Sequence, residues 1–227
     1  MLHVKQSVPD MEQSGRDEFI ESINASREAI SKLDRYADLL AEWNQRFNLV
    51  SESTLPQVWN RHFLDSAQLL KLIPADTKTL ADLGSGAGFP GLVLSILGIS
   101  QVHLIESIGK KANFLRAVID DLKLDAVVHQ ARIENLHETK FDVITARALK
   151  PLKQLLELSK PLMKQESLCL FLKGQQLAIE LTESAKYWRF DSETFPSLSD
   201  RSGCVLKITN LKSKSGSESN AVRRKSR

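Results

Sequence analysis

Residues 82–91, DLGSGAGFPG, place four glycines in ten positions, and an apolar run, LVLSIL, follows at once. Glycine at this density weakens a helix or strand interior, so it suits a chain that turns sharply or lets a ligand approach its backbone. The preceding TLADL (79–83) is short and apolar, as a buried strand is. Strand, glycine turn and then a helix from about Phe89 make the opening unit of a doubly wound sheet. In such sheets ligands bind beyond the carboxyl ends of the strands, facing the helix amino end. The dinucleotide fingerprint runs G-x-G-x-x-G, whereas here Gly84, Gly86 and Gly88 alternate, with Asp82 two places before the first.

The rest of the chain repeats the strand–helix alternation. VHLIES (102–107), AVVHQA (126–131), FDVITA (141–146) and SLCLFLK (167–173) read as further strands. Helical periodicity begins at Lys110, behind Pro151 and within QQLAIELTESAKYW (175–188). ETFPSL (193–198) and CVLKITN (204–210) succeed one another without a helix, which predicts a hairpin at the end of the chain. The expected fold class is α/β, with a mostly parallel seven-stranded sheet carrying an antiparallel edge strand. Before the sheet, Tyr36, Leu39, Leu40, Trp43 and Phe47 share one helical face, and a second helix is predicted over 55–72, ended by Pro74.

This organisation implies an N-terminal helical extension over 1–74, a core domain over 75–210 and a basic tail over 211–227. The tail holds Lys212, Lys214, Arg223, Arg224, Lys225 and Arg227 against Glu218, a composition suited to disorder or to an electrostatic arm for RNA. With 227 residues, 42% hydrophobic, the chain can bury a sizeable core. No apolar run is long enough for a membrane span and the start lacks a secretory pattern, so a cytoplasmic protein without a membrane partner is expected. Cys169 and Cys204 have no metal-ligand spacing, and no metal is expected.

D-x-G-x-G-x-G resembles motif I of the class I (Rossmann-like) S-adenosylmethionine-dependent methyltransferases, whose cofactor is a nucleoside without a diphosphate. Such a cofactor needs an acid for its ribose hydroxyls at the end of the second strand. Glu106 ends VHLIE, 106 − 84 = 22 residues after Gly84. ARIEN (131–135) follows the third strand, where Ile133 would pack on an adenine and Glu134 meet its polar edge. Arg147 sits just after the fourth strand, at the mouth of the same crevice.

The acceptor is narrowed by what the chain lacks. TARALKP stands where amino-group methyltransferases carry an N/D-P-P-Y-like sequence, and there is no Pro-Cys pair for attack at cytosine C5. Guanine N7 needs neither, because its lone pair is already unprotonated at neutral pH; positioning is enough. No catalytic group is assigned; Arg147, Arg132 and Lys173 are positioning candidates. Basic groups expected around the crevice for RNA are Arg61, His62, Lys110, Lys111, Arg132 and Lys173. His62 and Asp65, three apart, are also placed to pair with each other. Asn44, Arg46 and Asn48 flank Phe47 at a helix end, where capping and RNA contact are both open readings.

EWNQRFNLVS, RHFLDSAQLL, DLGSGAGFPGLVLSI, LIESIGKKANFLRAV and FDVITARAL together resemble the bacterial small-subunit ribosomal RNA guanine-N7 methyltransferase family (RsmG, also called GidB). The resemblance runs from about Tyr36 to Ile208. It implies methyl transfer from S-adenosylmethionine to N7 of one guanine in 16S rRNA, with 16S rRNA or the small ribosomal subunit as partner. It also implies cofactor contacts at Gly84, Phe89, Glu106, Ile133, Glu134 and Arg147, to which the motif I resemblance adds Asp82, Gly86 and Gly88. The family usually has Asp where Glu106 stands, which keeps the carboxylate and lengthens its reach. The competing functional classes are a methyltransferase for a small molecule or protein, a nicotinamide oxidoreductase, and a non-enzymatic ribosome-assembly factor. The glycine spacing counts against the oxidoreductase.

Overall fold

The two-residue period of the strands sets the layers of the molecule. In the strand Met163–Lys173, Leu168, Leu170 and Leu172 join one hydrophobic cluster while Cys169 and Phe171 join another on the opposite face. Leu80 and the pair Ala81 and Leu83 divide in the same way. The structure, a computed structural model, describes residues 13–136 and 138–214. Its strands are β1 (Leu80–Leu83), β2 (Val102–Ile105), β3 (Ala126–His129), β4 (Phe141–Arg147), β5 (Met163–Lys173), β6 (Trp188–Pro196) and β7 (Cys204–Ser213). They form one seven-stranded sheet in the order β3-β2-β1-β4-β5-β7-β6. β1 to β5 are parallel, and β7 runs antiparallel to both β5 and β6, which puts the reversed pairing at that edge of the sheet. The strand order turns back between β1 and β4, so the ligand crevice of such a sheet opens there.

Described helices are α1 (Gln13–Ile23), α2 (Arg27–Phe47), α3 (Asp65–Ala67), α4 (Gly91–Ile96), α5 (Gly109–Leu122), α6 (Leu152–Ser159) and α7 (Leu177–Ser184). Leu152, Leu155, Leu156 and Leu177 place α6 and α7 on one face of the sheet. The elements before β1, with α4 and α5, cover the other face through a shared cluster that includes Leu33, Tyr36, Leu40, Trp59, Phe63, Leu92 and Phe114. The Ser26 hydroxyl caps α2 by accepting the Ala29 N–H at 3.1 Å, and Asn48 ends it in the left-handed conformation. Among the described residues no helix is long and apolar enough to cross a membrane.

Three segments differ from the sequence-based expectation. Residues 52–72 are helical but not one α-helix: a 3₁₀ turn (Glu52–Gln57) precedes a π-helical turn (Trp59–Leu64), α3 and a second 3₁₀ turn (Gln68–Leu72). The wide π turn changes the register by which Arg61 and His62 are presented, and π turns recur at functional sites. The helix after the glycines starts at Gly91 rather than Phe89, and the Gly91 N–H is spent on Asp82 Oδ2 at 3.2 Å. β7 runs past Asn210 to Ser213 because Leu211 is buried in the α6/α7-side core, so the sheet takes in residues expected in the tail. The tail from Ser215 onward lies outside the described residues.

Tyr36 joins the N-terminal helices to the glycine loop. Its ring is fully buried, stacked near Phe63 and tilted against Phe89, with both centroids at 5.5 Å. Its hydroxyl donates to the Ala87 carbonyl. Burial holds the phenol well above its ordinary pKa, so the group remains a donor at any physiological pH. Tyr36→Phe leaves that carbonyl unsatisfied in the interior and is expected to cost about 1–3 kcal/mol. Urea unfolding checks this; an unchanged midpoint removes Tyr36 as the anchor of the loop.

Candidate active site

The loop between β1 and α4 is built on a buried acid. Asp82 has no exposed surface; its Oδ1 accepts the Thr145 hydroxyl of β4 at 3.0 Å and its Oδ2 accepts the Gly91 N–H. Desolvation pushes its carboxyl up to about 6, against the opposing hydrogen bonds from Thr145, Ser85 and Gly91. Asp82 thus holds the loop from beneath and presents no face to the crevice. Gly84, Gly86 and Gly88 all have positive φ, at 67°, 58° and 99°. Their surroundings separate them. A Cβ on Gly88 would lie 2.3 Å from Leu92 and 2.6 Å from the Tyr36 hydroxyl, so this glycine serves packing. A Cβ on Gly86 meets only the Gly84 carbonyl oxygen, at 3.8 Å, leaving its outer side open.

Glu106 closes the open side of the loop. Its Oε2 accepts the Gly86 N–H at 3.0 Å and its Oε1 accepts the Ile108 N–H at 2.7 Å, and the residue is buried. Each oxygen retains a further lone pair. The carboxylate can accept two more hydrogen bonds, a fit for a vicinal diol such as a ribose. With the open backbone at Gly86, these residues fit an adenosyl cofactor. Ile133 is half-buried in the 3₁₀ turn Ile133–Asn135 beyond β3, with Glu134 exposed beside it and Arg132 exposed before it.

A second space opens beside the loop. A cavity of about 490 Å³ lies past the ends of β4 and β5, with Arg61, His62, Asp65, Arg147, Lys173 and Glu180 in its wall. Phe89 links it to the glycine loop. The His62 ring stacks on Phe89 at 4.7 Å with 12° between planes, and the Arg147 guanidinium lies over Phe89 at 4.9 Å. Arg147 also donates to the Arg61 carbonyl at 3.1 Å and to Asp65 Oδ2 at 3.3 Å.

The structure brings Arg61, His62, Arg147 and Lys173 together and sets Lys110 apart, on a groove between α2 and α5. Lys111 is half-buried in the first turn of α5. None of the four gathered at the cavity is a free cation: Arg147 pairs with Asp65 and Arg61 with Asp200. His62 shares a hydrogen bond of 3.0 Å between its Nε2 and Thr54, not with Asp65. Burial first, then Arg147 and Arg61, lower it to about 3, so it is neutral. Lys173 pairs with Glu180 at 2.5 Å and donates to the Lys150 carbonyl at 3.3 Å. Its charge is therefore committed within the protein.

Asp65 is a site residue that spacing alone misassigns. Beyond Arg147 it receives Gln68 at 3.0 Å and Ser199 at 2.7 Å, the latter from the turn between β6 and β7. Arg61 ties the same turn through Asp200 at 3.1 Å. No local signal marks these partners, which come from 134 and 139 residues away.

The match that decides the family runs over most of the chain: residues 29–202 fit the model for GidB, rRNA small subunit methyltransferase G. The chain belongs to that family. A ribosomal RNA small subunit methyltransferase G from Rhodospirillum centenum is 47% identical over 194 residues, covering 86% of this chain and 90% of the relative. Its namesake from a Caulobacter species is 50% identical over 188 residues, covering 81% and 84%. Among solved structures, a putative O-methyltransferase from Klebsiella pneumoniae superposes with a TM-score of 0.59 at 13% identity, over 87% of this chain and 96% of that one. That likeness shows the class I methyltransferase fold.

Asp82 yields a pH test. Its folded pKa lies above the unfolded value of 3.8, so between about pH 4 and pH 6 the native state holds a proton that the unfolded chain has lost. Stability contributed at low pH is thus lost as pH rises through 6. Asn keeps an oxygen for Gly91 and an amide donor for the Thr145 oxygen, but has no charge to bury. The stability of Asp82→Asn relative to wild type should rise by up to about 3 kcal/mol between pH 4 and pH 7. A flat difference across that range, measured by denaturant unfolding, refutes this account.

Proposed function

We propose that the chain transfers a methyl group from S-adenosylmethionine to N7 of a specific guanine in 16S rRNA, within the RNA or the small ribosomal subunit, in the cytoplasm. The observation that carries this reading is the shared wall: Phe89 belongs to the loop on the cofactor side, while His62 and Arg147, both against its ring, line the larger cavity, which serves as the acceptor side. A base placed against that wall is held beside the cofactor loop.

The bound cofactor supplies an activated methyl group on a sulfonium. The protein's part is binding, orientation and exclusion of water. In this reading the Glu106 oxygens accept the ribose hydroxyls, Ile133 covers the adenine, and Glu134 or a neighbouring amide meets its edge. Gly84, Gly88 and Asp82 shape the loop that brings Gly86 to the ligand. Arg147, fixed by Asp65 and the Arg61 carbonyl, sets the boundary between the two spaces.

Guanine N7 requires no general base, and the cavity's one histidine, His62, is neutral with its Nε2 engaged by Thr54. Cys204 stands in the wall, but burial raises its pKa and its thiol donates to the Lys173 carbonyl at 3.7 Å. Attack at a pyrimidine carbon needs a thiolate. Glu180, whose Oε2 receives Lys173 and the Leu152 N–H, retains Oε1 as an acceptor for the N1–H and amino edge of guanine, a donor pair that adenine lacks. Phosphate contacts come from Arg61 in the cavity wall, from Lys110 on the separate groove between α2 and α5, and from Arg132 and Lys111.

Two measurements check the proposal. Small-subunit rRNA from cells lacking this protein should lose one borohydride–aniline cleavage, the signature of N7-methylguanine, and regain it on complementation; an unchanged pattern rejects the guanine-N7 assignment. Glu106→Ala should weaken S-adenosylmethionine binding about tenfold or more in calorimetry, since it deletes charge-assisted hydrogen bonds. Unaltered affinity would refute the ribose role of Glu106.

A further inference from the structure

Away from the acceptor cavity, the ends of α2 and α5 enclose a groove of about 360 Å³ lined by Glu42, Trp43, Arg46, Phe47, Lys110 and Asn113. The two helices pack antiparallel. Arg35, early in α2, pairs at 2.6 Å with Asp121, near the end of α5. The last turns of α2 therefore meet the first turns of α5. Those first turns follow directly on Glu106, whose Oε1 holds the Ile108 N–H. The groove thus opens at the same edge of the sheet as the cofactor crevice.

Its composition is unusual for a gap between helices. Trp43 and Phe47 are only half-buried, with centroids 5.5 Å apart and planes at 41°. Trp43 is braced from behind by the fully buried Phe114, also at 5.5 Å. The exposed Arg46 and Lys110 flank the rings, and among the described residues neither has a carboxylate within ion-pair distance. Lys110 stands in the first turn of a helix, where its charge opposes the macrodipole, and among the described residues no carboxylate pairs with it to offset that. Aromatic faces between free cations complement one kind of ligand in particular: a flat base joined to an anionic phosphate.

We infer that this groove receives an unpaired nucleobase of the RNA substrate on Trp43 and Phe47, with its phosphate held by Lys110 and Arg46. The inference rests on the RNA-methylating function proposed above and adds to it a second contact outside the acceptor cavity. One splayed base in the groove and another in the cavity would fix the RNA at two points on either side of the cofactor crevice. Selection of a single guanine then depends on the spacing of two unpaired bases as well as on the pocket itself.

The test uses the full-length protein, a single-stranded oligouridylate and an RNA duplex of equal length. Small ribosomal subunits from cells lacking this protein serve as methyl acceptors. Oligouridylate should quench wild-type tryptophan fluorescence and bind about fivefold more weakly to Trp43→Leu, with Trp43→Phe restoring most of the affinity. Lys110→Ala, at an exposed position, should reduce the slope of log affinity against log salt by about one. With subunits, both Trp43→Leu and Lys110→Ala should raise KM about fivefold, while the Kd for S-adenosylmethionine stays within twofold. Equal binding of the duplex, wild-type affinity in Trp43→Leu, or an unchanged salt slope in Lys110→Ala overturns the inference. So does a loss on subunits with none on the oligonucleotide, which would assign the groove to a ribosomal protein. The methyl-transfer reading fails separately, by absence of N7 methylation while quenching by oligouridylate persists.

Discussion

The fixed point of this molecule is a carboxylate buried at the end of β1. Asp82 gives one oxygen to Thr145 in β4 and the other to the first residue of α4. Burying an acid is costly unless its oxygens are hydrogen-bonded, and these donors offset the loss of water. The geometry leaves little freedom around it. A Cβ on Gly91 would lie 2.9 Å from the Asp82 Cβ, so α4 can approach only because that residue has no side chain. Because β1 and β4 flank the point where the strand order reverses, the carboxylate fixes the loop at the place where ligands of this fold bind.

From that point order spreads outward through aromatic rings. Phe89, at the end of the loop, contacts Tyr36 from α2, Phe63 and His62 from the irregular helical segment, and Arg147 from β4. The helices before β1 are therefore part of the site. Tyr36 holds the loop backbone, and the π turn delivers His62 to the Phe89 face and Arg61 to the cavity rim. Loop and cavity thus share side chains through packed rings.

Much of this was legible in the chain itself. The strands alternate because half of each belongs to either layer, and the apolar face of α2 repeats because it packs on α4 and α5; both are periodicities that a local window contains. Glu106 was reachable because loop and second strand are a fixed structural unit with a nearly constant residue count. The partners of the charged residues were not. His62 and Asp65 sit three apart as a helical pair would, yet the π turn disrupts that register and sends them to Thr54 and Arg147. Lys173 reads as a free cation at a strand end until α7 brings Glu180 against it.

The sequence by itself determined the sheet, its chain of strand–helix units, the glycine loop and the family to which they belong. These rest on short-range order: periodicity, glycine spacing and contiguous motifs. Only the tertiary structure decided which glycine stays open to a ligand, that His62 is a neutral stacking group, and that Trp43 and Phe47 share a groove with Lys110. Those outcomes depend on residues brought together from across the chain, as Asp65 and Arg147 are from 82 positions apart. Burial and charge pairing arise from such encounters, and no local window of sequence contains them.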